Sequence, residues 1–318
     1  MSRMADVLRK TLTGLRALAA DHRSGAAEIA DRAAALLEEF CLTERADDSR
    51  LPYALGELAE TTLTVQPSMA PMLNLANLIY LAAEQDAHPL RNLRKAVEKF
   101  RRQRQQATPR IAQLFAARIR RHRTVLTYSY SSTVLAALIA AARPARNGAG
   151  HLERVILSES RPLYEGRFLA ERLAEKGIAV TLLIDAALRE QMAAADAVVV
   201  GADTVLERAY VNRLGTRQLQ EQARISRKPF FVLADTAKFL PPALAPFHRI
   251  EEKPPQEVWR DPPARVTVIN RYFEAIPFER HVTLLCERGV MPPARLRAWV
   301  EHLEVARRWS ETSSGEQP

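Results

Sequence analysis

The run Val198-Val199-Val200-Gly201-Ala202-Asp203 constrains this chain more than any other stretch. Three consecutive β-branched residues are too few for a helix and suit a strand buried on both faces. Gly201 ends the run. Asp203 then falls just past the strand's carboxyl end, where open α/β sheets place their ligand crevice. A carboxylate there serves as an acid or base, or holds a sugar hydroxyl. The plainer alternative is an aspartate capping the next helix.

The neighbouring segments repeat the pattern. Short apolar runs at Thr124–Thr127, Val155–Leu157, Ala179–Ile184, Ala197–Val200, Phe230–Leu233 and Val266–Ile269 are expected strands. Amphipathic stretches lie between them, near Ser132–Ala142, Glu165–Lys176, Ala186–Ala193 and Leu214–Arg227. Strands alternating with helices predict βαβ units and a mainly parallel sheet, wound right-handedly. Upstream the period is helical: Val7, Leu8, Leu12, Leu15 and Leu18 recur on one face. His22-Arg23-Ser24-Gly25 breaks that pattern, and Ser24 is placed to cap a helix from about Ala26 to Phe40. Pro67 and Pro71 make a second break before a helix over Met72–Ala83. Arg91 to Arg121 reads as one long helix or as two jointed at Pro109. Seven prolines between Pro241 and Pro263 predict a long loop. The expected organisation is a helical domain over residues 1–120, an α/β domain over 121–310 and a disordered polar tail over 311–318.

Composition narrows the class. Hydrophobic residues make up 47% of 318, enough for a sizeable core. Cys41 and Cys286 are far apart and fit neither a metal spacing nor a disulfide framework, so both are expected to be buried core residues in a reducing compartment. No signal peptide and no bilayer-length apolar run is visible, and a cytoplasmic protein is expected. The formal charge is +9. The excess lies in one segment, where twelve cations from Arg91 to Arg123 oppose a single acid, Glu98. No aromatic residue interleaves with those charges from Arg101 to Arg110 and no nucleic-acid motif accompanies them. A solvated helix face is the expected role, and nucleic acid is not indicated as a partner.

The residues that follow each expected strand converge on one edge: Tyr128-Ser129-Tyr130-Ser131-Ser132, Ser158-Glu159-Ser160-Arg161, Asp185, Gly201-Ala202-Asp203 and Asp235-Thr236-Ala237-Lys238. That edge suits an anionic small molecule. Ser131 and Ser132 open a helix whose free N–H groups can take a phosphate. Arg161 offers a bidentate pair and Lys238 a point charge. Arg213 follows Asn212 in the stretch after Asp203. No Gly-x-Gly-x-x-Gly follows a strand and no Walker loop is present, so no nucleotide cofactor is expected. No His/Cys cluster indicates a metal.

These strings, in this order and spacing, resemble the superfamily of the α, β and δ regulatory subunits of eukaryotic translation initiation factor 2B. That superfamily also contains methylthioribose-1-phosphate isomerase and ribose-1,5-bisphosphate isomerase. The resemblance runs from about His22 to Glu301. It rests on Arg23-Ser24-Gly25-Ala26, Pro67-Ser68 with Asn74, Leu126 through Ser131, Glu159-Ser160-Arg161-Pro162 with Gly166, Gly201-Ala202-Asp203, Val211 through Thr216, Lys238-Phe239 and Tyr272-Phe273. It implies a helical amino-terminal domain on a Rossmann-like carboxy-terminal domain, and a homodimer formed through the latter. It further implies that Arg23, the Gly25 turn, Arg161, Asn212, Arg213 and Lys238 line a phosphate pocket. In the isomerase branches a cysteine after the first strand and an aspartate after the fourth move a proton or hydride between C1 and C2 of an aldose 1-phosphate. Asp203 matches the aspartate, but Ser129 stands where those enzymes carry the cysteine. A thiol with a reference pKa of about 8.5 exchanges protons near neutrality. A serine hydroxyl needs a neighbouring base, and no histidine adjoins Ser129. Arg213 also replaces the lysine usual in the isomerases.

Three functions follow as expectations. The first is a regulatory binder of a phosphorylated sugar or nucleotide. The second is an aldose–ketose isomerase on a pentose 1-phosphate, using Asp203 with Ser129 or another partner. The third is a subunit of a translation-factor-like assembly.

Overall fold

A computed structural model describes residues 3–21, 24–43, 50–85, 88–143 and 152–311. Arg23 and residues 312–318 of the expected tail lie outside them. Five helices come first: α1 (Arg3–Ala17), α2 (Ala26–Thr43), α3 (Leu51–Val65), α4 (Ala70–Ala83) and α5 (Pro89–Arg118). Strands and helices then alternate: β1 (Thr124–Thr127), α6 (Ser132–Ala142), β2 (Arg154–Ser158), α7 (Glu165–Ala174), β3 (Ala179–Leu183) and β4 (Ala197–Gly201). There follow β5 (Thr204–Val205), β6 (Ala209–Arg213), α8 (Thr216–Ile225), β7 (Phe230–Leu233), β8 (Phe273–Pro277), β9 (Val282–Cys286) and β10 (Gly289–Val290). Two short helices, α9 (Pro293–Glu301) and α10 (Arg308–Glu311), close the described chain.

The chain divides into two compact units, neither of them contiguous. One comprises residues 1–105, 237–249 and 294–318; the other comprises 106–236 and 250–293.

In the first unit α1 to α4 bury an apolar face that includes Leu15, Leu18, Ile29, Leu37, Phe40, Leu55 and Leu58. Pro71 sits in the first turn of α4, where a missing N–H costs nothing. The Asn77 side chain, buried in α4, accepts from the Ala306 N–H at 2.9 Å and the Trp309 indole at 2.8 Å, and donates to the Glu304 carbonyl at 2.9 Å. One amide thus fastens the carboxy-terminal segment. Helix α5 is a single helix: Pro109 lies inside it, on an exposed turn. Most of the cations from Arg91 to Arg123 are solvent-exposed. Arg104 is the exception, buried with Nε on Asp31 at 2.9 Å and an Nη on the Ala27 carbonyl at 2.6 Å.

The second unit is built on a seven-stranded sheet in the order β10-β9-β7-β4-β1-β2-β3. All neighbours are parallel except β10 and β9. Strand β4 is central and all five of its residues are buried, as a β-branched run between two helical layers requires. Phe115 of α5 packs edge-on against Phe231 of β7, centroids 5.5 Å apart, within a core that also holds Val134, Leu138, Leu157 and Leu169. At the amino edge the Asp196 carboxylate accepts from the Arg123 and Thr124 N–H groups at 2.8 and 2.9 Å. Desolvation works against that charge, yet the two backbone donors hold its carboxyl below the usual range. A second, antiparallel sheet runs β5-β6-β8.

Two expectations are corrected here. Val266–Ile269 is not a strand: the segment is irregular, with Val266 and Ile269 exposed. The place beside β7 belongs to β9, whose register runs from Phe230↔Val282 to Leu233↔Leu285. An isolated four-residue apolar run has no burial of its own; a partner strand decides it. The stretch Ala186–Ala193 forms 3₁₀ turns over Asp185–Ala194 in place of an α-helix. Cys286 lies within β9, and both cysteines are buried and unbridged.

Candidate functional site

Four residues, 128–131, carry the chain from β1 into α6. Tyr128 is buried, and its phenol donates to the Leu214 carbonyl at 2.7 Å. Desolvation raises that phenol far above its ordinary range, so it stays protonated. Ser129 is also buried, and its backbone is left-handed at φ 62°. Its N–H donates to the Ser160 hydroxyl at 3.0 Å. Among the described residues its own hydroxyl has no hydrogen-bond partner. Ser131 caps α6, accepting from the Val134 N–H at 3.4 Å. The Ser131 side chain lies against Gly201, where a Cβ would fall 2.7 Å from its Oγ. Glycine is required there for the β1 and β4 ends to approach.

Strand β2 ends in a loop organised by Asp185. One carboxylate oxygen accepts from the Ser158 hydroxyl at 2.6 Å and the Ser160 N–H at 2.9 Å; the other accepts from the Arg161 N–H at 2.8 Å. Ser160 is left-handed at φ 60°. The exposed Arg161 guanidinium lies 4.9 Å from the Tyr164 ring centroid and donates to its phenol. Arg167 covers the same ring at 4.1 Å and pairs with Glu159 at 2.7 Å. Helix α7 begins hard against the strand it follows.

Asp203 sits half-buried two residues past β4, and its N–H donates to the Val211 carbonyl at 2.8 Å. It thereby opens the β5–β6 hairpin. Asn212, buried in β6, donates to the Thr216 hydroxyl at 3.0 Å. Arg213 is half-buried and ion-paired with the buried Glu165 carboxylate at the start of α7. Its guanidinium is flanked by the rings of Tyr272 and Phe273, centroids at 4.7 and 4.9 Å. Burial pulls the Arg213 guanidinium down to about 10, against the facing Tyr272, Tyr128 and Glu257. It remains a cation at neutral pH, stacked and neutralised. Glu274 of β8 caps α8, taking the Gly215 and Arg217 N–H groups at 2.7 and 2.9 Å.

Ser129, Ser131, Arg161 and Asp203 therefore follow β1, β2 and β4 at the carboxyl edge of the seven-stranded sheet, while Asn212 and Arg213 end β6 of the second sheet in the same unit. Contacts between the Ser129 and Ser160 loops, the Ser131 and Gly201 loops, and Glu165 and Arg213 tie those loops into one surface. Gly25 and Lys238 belong to the helical unit. The Gly25 carbonyl accepts from the Glu28 and Ile29 N–H groups at the start of α2. Lys238 is buried, and the Asn74 amide holds its neighbours through the Ala237 and Phe239 carbonyls at 2.7 and 3.0 Å. Glu165, Asp185, Ser160 and Glu274 are the organising residues that sequence reasoning did not single out for these roles. Asp185 and Ser160, both in segments that follow expected strands, carried a local signal. Among the described residues no group of three His, Cys, Asp or Glu side chains could hold a metal. No helix among them is long and apolar enough to cross a membrane.

A helical unit is joined to a mainly parallel α/β unit, and serine-, arginine- and aspartate-bearing loops gather at the strand edge where open α/β sheets place their ligand crevice. The chain belongs to the initiation factor 2 subunit family, whose model matches residues 22–293. It is 33% identical over 275 residues to a ribose 1,5-bisphosphate isomerase of Archaeoglobus fulgidus, covering 85% of each chain. It is 32% identical to a putative translation initiation factor eIF-2B subunit 2-like protein of Pyrococcus furiosus, covering 80% of this chain and 87% of that one. The solved translation initiation factor eIF-2B of Pyrococcus horikoshii superposes with a TM-score of 0.75 at 27% identity, over 93% of this chain and 99% of that one. The 5-methylthioribose 1-phosphate isomerase of the same organism shares the fold, with a TM-score of 0.66 at 21% identity over 95% of this chain and 88% of that one.

Proposed function

We propose that this chain binds a phosphorylated sugar at the carboxyl edge of its seven-stranded sheet and does not isomerise it. The carrying observation is Ser129. Its hydroxyl makes no hydrogen bond to a base among the described residues, and an unassisted serine is too weak an acid or nucleophile for proton traffic at neutral pH. The ligand class is supported by the A. fulgidus relative's name and by the chemistry of the edge. In this reading the first N–H groups of α6 and Ser131 face the phosphate, Arg161 leaves Tyr164 to pair with it, and Asp203 and Asn212 take sugar hydroxyls. Arg213, already paired with Glu165, shapes the wall.

Isothermal titration with ribose 1,5-bisphosphate and with 5-methylthioribose 1-phosphate tests binding, and phosphorus NMR tests conversion. Binding without conversion is the expected result. Conversion by the wild type at about 1 per second or faster, an ordinary enzymatic rate, would establish the isomerase reading instead. That second reading is favoured by the relatives named as isomerases and by the half-buried Asp203. It carries its own signature: Ser129→Cys would raise the rate by about 10²–10⁴-fold, the usual worth of an acid–base group, and Asp203→Asn would abolish it.

We further infer self-association into a homodimer through the sheet unit. The proline-rich segment and the residues after it leave Val258, Trp259, Val266 and Ile269 exposed, apolar side chains that an interface between two copies would cover. Sedimentation at micromolar concentration is expected to give twice the chain mass. A single species at 35.7 kDa would refute it.

A further inference from the structure

We propose that Asp185 is a positioning residue for the ligand edge, acting through Ser160 to hold Ser129 in its left-handed conformation. The inference rests on the reading that this edge takes a sugar phosphate. Ser129 and Ser160 are both non-glycine residues at positive φ, 62° and 60°. Such backbone is unfavourable for a residue with a side chain and persists only where its surroundings hold it. The surroundings are specific. The Asp185 carboxylate takes three donors: the Ser158 hydroxyl at 2.6 Å, the Ser160 N–H at 2.9 Å and the Arg161 N–H at 2.8 Å. Ser160, so fixed, presents its hydroxyl oxygen to the Ser129 N–H at 3.0 Å. A carboxylate at the end of β3 thus reaches the end of β1 through the loop of β2.

The sheet does not need this chain of bonds to form. Strands β1, β2 and β3 pair along their length, as in Val125↔Val155 and Val155↔Val180. At the opposite edge Asp196 holds the Arg123 and Thr124 N–H groups in the same manner, and no candidate ligand residue lies there. The two aspartates use one device. Asp185 alone carries Ser129 and Arg161 with it.

The comparison of the two makes the test. Asp185→Asn, Ser160→Ala and Asp196→Ala are prepared in the full chain, each studied well below its own melting temperature. The asparagine amide would face one of the three N–H or O–H donors with a donor of its own. Affinity for ribose 1,5-bisphosphate is read by titration, and exchange of the Ser129 amide by NMR. Asp185→Asn and Ser160→Ala are expected to bind at least tenfold more weakly and to lose Ser129 amide protection. Their combination should bind no more weakly than Asp185→Asn alone, since both act through one bond. Asp196→Ala should lose stability yet keep wild-type affinity and Ser129 protection. Wild-type affinity and protection in both site variants would overturn the proposal, as would an equal loss in Asp196→Ala. If the wild type itself binds no sugar phosphate, the functional reading fails. The exchange measurement then decides the positioning role alone: protection lost in Asp185→Asn but not in Asp196→Ala upholds it, and protection unchanged in both overturns it.

Discussion

Gly166→Ala is expected to lower the unfolding free energy by about 3 kcal/mol or more, at or beyond the upper end of ordinary overpacking. A Cβ at this position would fall 1.7 Å from the Ser158 carbonyl oxygen and 2.8 Å from its carbon. Both are backbone atoms of β2, whose residues are locked in register between β1 and β3. No flexible side chain can yield, so helix α7 must move off the sheet. Moving it disturbs the Gly166 N–H bond to the Glu159 carbonyl and draws Glu165 away from Arg213. Urea denaturation monitored by circular dichroism measures the effect. Gly56→Ala supplies the contrast. Gly56 is inside α3 with no atom within 4 Å of its would-be Cβ, so alanine there should add about 0.5–1 kcal/mol through helix propensity. A Gly166→Ala protein as stable as wild type would mean that α7 has room the structure denies it.

Arg213→Met is expected to destabilise by about 3–5 kcal/mol, the cost of leaving a buried carboxylate without its cation. Glu165 is only 6% exposed as a side chain and Arg213 14%. The methionine would still fill the slot between Tyr272 and Phe273, so lost packing is a minor part of the effect. Glu165→Gln made together with Arg213→Met should recover most of the stability, because the buried charge is then gone from both sides. A double-mutant cycle by denaturation reads the coupling. Additive losses in the two single variants would show that the pair contributes no interaction of its own.

Much of the architecture was legible in the chain. Val198 to Val200 pointed to a strand buried on both faces, and pairing with β1 and β7 on either side made it one. The turns after β1, β2 and β4 could be placed on one edge because successive parallel strands of βαβ units end on the same side. The first turn of α6 was readable from Ser131 and Ser132. The β5–β6 hairpin and β8 were not. Thr204–Val205 is too short to show a period, and Ala209–Arg213 shows no alternation, being a strand because it pairs with β8. Val266–Ile269 carried the stronger local signal and is irregular, because the neighbouring position in the sheet went to Val282–Cys286.

The candidate site divides in the same way. Ser129, Asp203 and Arg161 were nameable from their places after strands, since position along a strand is a local property, whereas Asn212 was nameable only through the family resemblance. What each side chain does there was decided by groups distant in sequence. Glu165 turns Arg213 from a free cation into half of a buried pair. Asp185 and Ser160 set the backbone of Ser129. Glu274, from a strand some sixty residues downstream, claims the N–H groups at the start of α8. The amino-acid sequence by itself determined the layers, the strand edge and the residue types offered to a ligand. Only the tertiary structure decided which charges remain available there, because a cation's availability depends on the nearest buried carboxylate, and that neighbour is chosen by packing and not by spacing along the chain.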